Sequence, residues 1–393
     1  MDFDVVVLGG GLIGASLLCT LREQDLKIAL IDIAPLCSDR ENSLDARALA
    51  LSLTSVECLN RIGIWPKMVG NAAPILKIHV SKKGYFGRCI LEAKDHNLPG
   101  FGYVVNADLL NHTINGTIQN TDNIRIFRPA EVQTLKKENK LWHIQLDSGV
   151  RMSAKLIVAA DGATSRFRAQ QGIGVQVSDN GQAAIVVNVQ LERSHHDIAF
   201  ERFMEEGSIA MLPFGDKQVK AIWIAPMQLL AQLKLLEEAA FLSKLQEGFG
   251  YRLGNLVHLG RRIIYPLRTL YSEAIYGDQW VLIGNAANTV YPIAAQGFNL
   301  GLRDVAFLAE KLVVARKNKQ DIRTISLLQH YAELRAADHQ YIRQGTDRLL
   351  DAHLLQWLGI LACQWIAPFK RRVITWGLGK QDYLPKLCRG INL

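Results

Sequence analysis

Residues 5–14 constrain the fold more tightly than any other stretch of the chain. Val5-Val6-Val7-Leu8 is a continuous apolar run, which suits a strand buried on both faces of a parallel sheet. Gly9-Gly10-Gly11-Leu12-Ile13-Gly14 follows at once, and Ala15 to Glu23 reads as a helix. In that order the glycines have separate tasks. Gly9 makes the tight turn, Gly11 lets the backbone approach a pyrophosphate, and Gly14 packs helix on strand. The helix start adds amide N–H groups at the positive end of a helix dipole. A second strand, Lys27 to Ile31, ends in Asp32, 18 residues after Gly14, where a carboxylate can accept hydrogen bonds from an adenosine ribose. The pattern predicts a βαβ unit that binds the ADP half of a dinucleotide. It leaves FAD and NAD both open, because both carry that half.

Composition narrows the partners. The 393 residues are 49% apolar and 21% charged, as in ordinary globular proteins, which excludes a chain dominated by disorder. Lys and Arg outnumber Asp and Glu by 45 to 37, a balance that suits a dinucleotide or an acidic lipid surface. The basic residues are dispersed, so nucleic acid is not expected as a partner. Cys19, Cys37, Cys58, Cys89, Cys363 and Cys388 are far apart, with no C-x-x-C pair, and read as reduced thiols of a cytosolic protein. The N-terminus lacks the pattern of a signal peptide, and no run of 18 apolar residues predicts a spanning helix.

Three further segments carry chemistry. Asp45 to Ser52, which contains Arg47, reads plainly as a helix N-terminus with a surface arginine. Lys155 to Ala160 is an apolar strand that closes on Asp161-Gly162-Ala163-Thr164-Ser165-Arg166-Phe167-Arg168, placing a carboxylate and a glycine where doubly wound folds bind ligands. Trp280 to Ile283 is another strand, followed by Gly284-Asn285-Ala286-Ala287 and then Pro292-Ile293-Ala294-Ala295-Gln296-Gly297-Phe298-Asn299-Leu300-Gly301-Leu302-Arg303-Asp304. Here Pro292 to Gly297 predicts a rigid turn and Asn299 the start of a helix. Its free N–H groups would suit the edge of a flavin on which negative charge gathers during reduction.

Taken together these motifs resemble the FAD-dependent hydroxylases of ubiquinone biosynthesis, a group of class A flavoprotein monooxygenases, and most resemble the 2-polyprenyl-6-methoxyphenol hydroxylase branch. The Gly284-Asn285 pair stands where most relatives have Gly-Asp. Tyr291 and Asn288 replace histidines, and Asn106 stands where Glu is frequent. The resemblance implies an α/β fold in which a Rossmann-like FAD-binding domain is interleaved with a second domain on a mostly antiparallel sheet, followed by C-terminal helices. The FAD-binding part would comprise 1–74, 100–180 and 268–345, the substrate-binding sheet 75–99 and 181–267, and a helical segment 346–393. The residues implied at the cofactor are Gly9, Gly11, Gly14, Asp32, Arg47, Asp161, Gly162, Asn285, Pro292, Gly297, Asn299 and Leu300. Tyr331, Arg335, Asp338, Thr346 and Asp347 also fit the family's tail.

The implied reaction inserts one atom of O2 into a polyprenylated phenol through a C4a-hydroperoxide of the reduced flavin, with NADH or NADPH as a transient donor. Such chemistry asks for a dry site and no metal or protein nucleophile. Accordingly the sequence offers no Ser/His/Asp triad or carboxylate dyad. The adjacent pair His195-His196 would face opposite sides of a strand, which disfavours a metal site. Ala183 to Glu192, Ala199 to Phe203, Ser208 to Phe214 and Lys220 to Ala225 predict the second sheet, with a contribution from near Ile75 to Leu91 and an outer helix over Leu229 to Gln246. Ala352 to Phe369, next to Lys370-Arg371-Arg372, reads as an interfacial helix or as a closing helix packed on protein. A protein at the inner face of the membrane, contacting other proteins of the pathway, is therefore expected. The same scaffold also serves isoprenoid reductases, hydroxylases of other quinone-ring positions and FAD-holding subunits without catalysis. A pyridine-nucleotide dehydrogenase would leave the third motif without a purpose.

Overall fold

The computed structural model describes residues 1–35, 47–119, 121–290 and 296–350, together with 368, 370, 371, 374, 375, 378 and 383–393. Pro292 and its turn, and nearly all of the helix expected over 352–369, lie outside the described residues. In chain order the first elements are β1 (Asp2–Leu8), α1 (Leu12–Leu21), β2 (Ile28–Ile31), β3 (Ala48–Ser52), α2 (Leu53–Arg61), β4 (Lys77–Lys82) and β5 (Arg88–Glu92). Then come β6 (Gly102–Asn106), α3 (Ala107–Ile118), β7 (Ile124–Phe127), β8 (Val132–Glu138), β9 (Leu141–Leu146), β10 (Arg151–Ala159), β11 (Val175–Leu191), β12 (Ile198–Met204), β13 (Gly207–Pro213) and β14 (Gln218–Pro226). The last are α4 (Met227–Leu235), α5 (Glu238–Phe249), β15 (Ile263–Ser272), β16 (Trp280–Leu282), α6 (Gln296–Lys317) and α7 (Ile325–Leu350).

The expected α/β architecture is present. The first sheet runs β7-β2-β1-β10-β16, with these strands parallel and the β8–β9 hairpin added antiparallel to β10. Val5 and Val7 pack with Leu17, Leu21 and Leu302 on one face, whereas Val6 and Leu8 pack with Ile31, Ile144 and Ile157 on the other. That two-sided burial is why the strand reads as an unbroken apolar run. The chain leaves β1 for β2 on one side and returns through β10 on the other. The carboxyl end of β1 is thus the switch point at which such sheets bind ligands.

The second sheet runs β15-β11-β14-β13-β12-β4-β5 and is antiparallel except where β12 meets β4. Ile185, Val187, Trp223 and Met211 on one face bury against Leu230, Leu233, Phe241 and Leu245 of α4 and α5. The single helix expected over Leu229 to Gln246 is broken at Leu236, which is extended. Arg262 explains the break: its guanidinium donates to the carbonyls of Leu233 (3.4 Å) and Leu236 (2.5 Å), satisfying groups that a continuing helix would have used. β11 passes between both parts of this sheet. It pairs with β15 over Val175–Asp179 and again from Ala183, taking four steps against two on β15 across the intervening bulge.

A small third sheet corrects the expectation for the Arg47 segment. Ala48–Ser52 forms β3, paired antiparallel with β6, rather than a helix N-terminus. The helix starts only after Ser52, whose hydroxyl accepts from the Ser55 N–H at 3.3 Å. Ser52 therefore supplies the cap signal, and the residues before it pair their backbone across the sheet. The His195-His196 pair lies in a turn before β12, not on a strand, with His196 and Asp197 in the left-handed region at φ 49° and 57°. His195 donates through Nε2 to Gly215 O (2.5 Å) and accepts at Nδ1 from Asp197 N–H (3.0 Å), so both ring nitrogens are engaged. No helix among the described residues is long and apolar enough to cross a membrane.

The tail residues Tyr331, Arg335 and Asp338 are buried, and they belong to a charge cluster joining α6 to α7. Arg335 donates to Asp304 (2.5 Å) and also pairs with Asp338, while Arg303 donates to Asp338 at 2.8 and 3.3 Å. The two guanidinium groups hold the Asp338 carboxyl well below the usual carboxylate range despite its burial. Its contribution to stability is complete above the ordinary value near 3.8 and fades only as pH falls toward the depressed folded value. Replacing Arg335 with Met takes the guanidinium from the buried Asp304 and leaves Asp338 with Arg303. The expected loss is about 3–5 kcal/mol of unfolding free energy at pH 7, read from urea denaturation. A loss under about 1 kcal/mol would contradict the role assigned to the cluster.

Candidate active site

The first two motifs touch through backbone. Gly9 sits at φ +97°, and a Cβ there would meet Ala160 O at 2.5 Å and Asp161 Cα at 2.8 Å. A Cβ on Gly14 would overlap Gly9 O, because α1 begins at Leu12, three residues before the expected start. Gly11 differs from both: a Cβ there would meet nothing within 4 Å. It forms the N-cap of α1, whose first N–H groups have no partner inside the helix. Gly9 and Gly14 are thus required by packing, whereas the chain's own packing leaves the position at Gly11 open.

Asp32 ends β2 as expected, but it is not a free carboxylate. Its Oδ2 accepts from Gly10 N–H (3.0 Å) and Arg128 (2.6 Å), and its Oδ1 from Ala34 N–H (3.1 Å). Arg128, one residue past β7, also donates to Gly10 O (2.5 Å) and to Asn115 of α3 (2.8 Å). Its side chain is 8% exposed and leaves a buried Nε without a partner. Sequence reading missed Arg128 because nothing in an Arg-Pro pair after a short strand marks it. Only the parallel pairing of β2 with β7 brings it to the turn.

In the second motif Asp161 accepts from Phe167 N–H (3.2 Å) through Oδ2, while its Oδ1 is buried without a partner. Gly162 is at φ +86°, with nothing within 4 Å of an added Cβ. Arg168 ties this motif to the third, donating to Ala163 O (2.6 Å) and Ala286 O (2.8 Å). Ile13 of the first motif wedges between Gly284 and Gly301: a Cβ on Gly284 would lie 3.1 Å, and one on Gly301 2.7 Å, from its side chain. Asp304 then accepts from Gly284 N–H (2.8 Å), which connects the third motif to the buried charge cluster.

Asn285 lies on a short 3-10 turn, Gly284–Ala286, with an exposed side chain. The following helix begins at Gln296, earlier than Asn299, so Gly297 is in its first turn with nothing within 4 Å of an added Cβ. The Asn299 side chain braces β3, accepting from Ser52 N–H (2.9 Å) and donating to Ala50 O (3.1 Å). Leu300 is buried with Val290. Arg47, just before β3, pairs with Asp108 of α3. Asn106 caps α3 by accepting from Asp108 and Leu109 N–H (2.8 and 3.1 Å), work that a shorter amide does well at a helix start. From the second sheet, Lys220 reaches across to Ala48 O, and burial pulls its ammonium down to about 8.

These residues fit a flavin dinucleotide. Open positions at Gly11, Gly162 and Gly297, the unpartnered Asp161 Oδ1 and the exposed amide of Asn285 belong to three turns locked together by Gly9, Ile13, Arg168 and Gly301. The ensemble could hold pyrophosphate at α1, adenosine near Asp32 and Arg128, and an electron-rich ring edge at the start of α6.

Comparison with known proteins agrees. The profile of the FAD binding domain family matches residues 2–345. Ubiquinone hydroxylase UbiL of Rhodospirillum rubrum is 32% identical over 99% of this chain and 93% of its own length. The 3-demethoxyubiquinol 3-hydroxylase of Escherichia coli is 26% identical over 96% of this chain and 98% of its own. Among solved structures, PqsL of P. aeruginosa in complex with 2-aminobenzoylacetate superposes with a TM-score of 0.75 at 17% identity, covering 97% of this chain and all of that one, a likeness of fold. The chain therefore belongs to the FAD binding domain family, as an FAD-dependent monooxygenase akin to the ubiquinone hydroxylases.

Proposed function

We propose that the protein hydroxylates a polyprenylated phenol in ubiquinone biosynthesis, using NAD(P)H and O2. The observation that carries this reading is the interlocking of three glycine-rich turns around open backbone positions, in a chain whose relatives along nearly its whole length include ubiquinone hydroxylase UbiL and 3-demethoxyubiquinol 3-hydroxylase. Bound and reduced, FAD supplies the electrons that activate O2 for transfer of one oxygen atom to an electron-rich ring. The protein's own residues bind, orient and keep water out. The α1 start at Gly11 would hold the pyrophosphate, and Asp32 with Arg128 the adenosine. Asp161 and Gly162 would border the middle of the cofactor, Asn285 the ribityl chain, and the N–H groups of Gly297, Phe298 and Asn299 the edge that becomes negative. The Leu300 backbone would border that same edge and Arg47 its entrance, while Pro292 lies outside the described residues.

The face of the second sheet opposite α4 and α5 carries Ala184, Val186, Ala210, Leu212, Ile222 and Ile224, an apolar wall suited to excluding water from the ring. In this reading 1–74, 100–180 and 268–345 form the cofactor part, 75–99 and 181–267 the substrate part, and 346–393 a C-terminal helical segment. Ile374 and Leu378 of that segment are buried beside Ala48, Phe101 and Ala199, and Thr54 donates to Leu378 O at 3.2 Å. Arg371 is exposed, in keeping with a second contact at the membrane surface. A prenyl tail, at about 0.8 kcal/mol for each CH2 withdrawn from lipid, would not leave the bilayer, so the enzyme works at that surface.

Three experiments test this reading. The protein purifies yellow with about one FAD per chain, and Gly11→Val gives a folded, colourless protein, checked by absorbance and circular dichroism; wild-type flavin content in this variant would remove Gly11 from the site. Arg128→Met weakens FAD by about tenfold to a hundredfold, and Asp32→Ala by about 1–3 kcal/mol, in flavin-quenching titrations, because each variant removes a charged hydrogen-bonding group. With isotopically labelled O2, NAD(P)H and a short-chain prenylphenol, mass spectrometry finds one labelled oxygen in the product. An unlabelled product that has gained two hydrogens in its prenyl chain would instead make the protein a reductase.

A further inference from the structure

The turn between β4 and β5, residues 83–87, displays large aromatic side chains to solvent: Phe86 is 93% exposed and Tyr85 51%. Phe86 is by this measure the most exposed large hydrophobic side chain described. Lone exposed apolar residues are common and need no explanation. What surrounds this pair is less ordinary. The Lys82 ammonium lies 4.5 Å from the centre of the Tyr85 ring, and Lys83 and Arg88 flank the turn.

Strand register builds a basic row beside it. Arg88 of β5 pairs with Ser81 of β4, and Ser81 with Arg202 of β12, so Arg88 and Arg202 share one face of the sheet. Arg252 joins them from the loop after α5, next to Tyr251, which is 72% exposed. Arg202 donates to Gly248 O (3.1 Å) and Arg252 to Phe249 O (3.1 Å), so both satisfy the carbonyl end of α5. That capping task leaves most of their charge uncompensated. Among the described residues no carboxylate pairs with Arg88, Arg202 or Arg252, and burial together with the Arg88 charge pulls Arg252 below the usual arginine range. Acidic residues nearby in the chain are Glu205 and Glu206, exposed in the next turn between β12 and β13, and Glu247 of α5, which pairs with Lys244. Lys83 is exposed in the turn itself, beside Arg88.

From this geometry we infer that the 83–87 turn and the adjoining arginines form a docking surface for an anionic lipid bilayer, with Tyr85, Phe86 and Tyr251 entering the headgroup layer and Arg88 and Arg252 pairing with lipid phosphates. Aromatic rings beside cations are the side chains that settle at a membrane interface, and this patch is independent of the C-terminal basic run. The inference rests on the proposed lipid-borne substrate for its purpose, though not for its test.

The test is co-sedimentation with vesicles of phosphatidylcholine alone or mixed with phosphatidylglycerol, using holoprotein and flavin content per chain as the check of folding. Wild type should bind the mixed vesicles, more weakly as salt rises. Tyr85→Ser with Phe86→Ser, and Arg88→Gln with Arg252→Gln, should each lower binding by about tenfold, and the arginine variant should also lose the preference for anionic lipid. Changing Lys370, Arg371 and Arg372 to Gln in parallel reports the C-terminal contact separately. Both turn variants should keep wild-type turnover of a water-soluble phenol and lose it only for substrate embedded in vesicles. Wild-type binding by the Tyr85/Phe86 variant, or a wild type indifferent to both kinds of vesicle, overturns the inference. Vesicle binding without turnover of any phenol would instead count against the hydroxylase reading and leave the docking surface standing.

Discussion

Contact between backbones without side chains in the way is the condition on which the cofactor end of this protein depends. Gly9 against Ala160 and Asp161, Gly14 against Gly9, and Gly301 with Gly284 around Ile13 bring three turns from distant parts of the chain within van der Waals reach. None of these contacts has room for a methyl group without movement of backbone or of a packed branched side chain. The open positions at Gly11, Gly162 and Gly297 therefore stand on a frame that admits little adjustment. Preorganisation of this kind places donors before a ligand arrives, which lowers the cost of binding a large, charged cofactor.

The charge cluster of Arg303, Asp304, Arg335 and Asp338 extends that frame into the helices. Asp304 uses one oxygen for Arg335 and the other for the Gly284 amide, so the same carboxylate holds a helix pair together and fixes the turn that carries Asn285. A hydrophobic substitute could fill the volume but could not accept the Gly284 N–H. That difference accounts for a polar solution in a place where apolar packing is often as stable.

Much of this was legible in the sequence where the period and the turn chemistry agree. The β1 run, the turn at Gly9 and most strands of the second sheet carry local signals and lie close to where those signals put them, whereas β15 was not foreseen and β11 begins at Val175, before the expected Ala183. Legibility fails where tertiary contacts choose between local options. Ala48–Ser52 has composition compatible with a helix, but it pairs with β6, and the capping serine sits seven residues after Asp45. The break at Leu236 depends on Arg262, and the occupation of Asp32 depends on Arg128, partners 26 and 96 residues away. No window of sequence contains both members of either pair. Asn299 teaches the same lesson in reverse, since its place in a ligand motif gave no hint that its side chain would brace β3.

β11 gives the second sheet a constraint of a different kind. Between Asp179 and Ala183 it advances four residues while β15 advances two, an even excess, so the alternation of faces survives the bulge. Ala183 and Ile185 remain turned toward α4 and α5, and Ala184 and Val186 toward the apolar wall. A single residue inserted or deleted there and not taken up by the bulge would shift the register that follows, presenting the wall to the helices and the helix-packing residues to the substrate side. At this point the protein is sensitive to the count of residues more than to their identity.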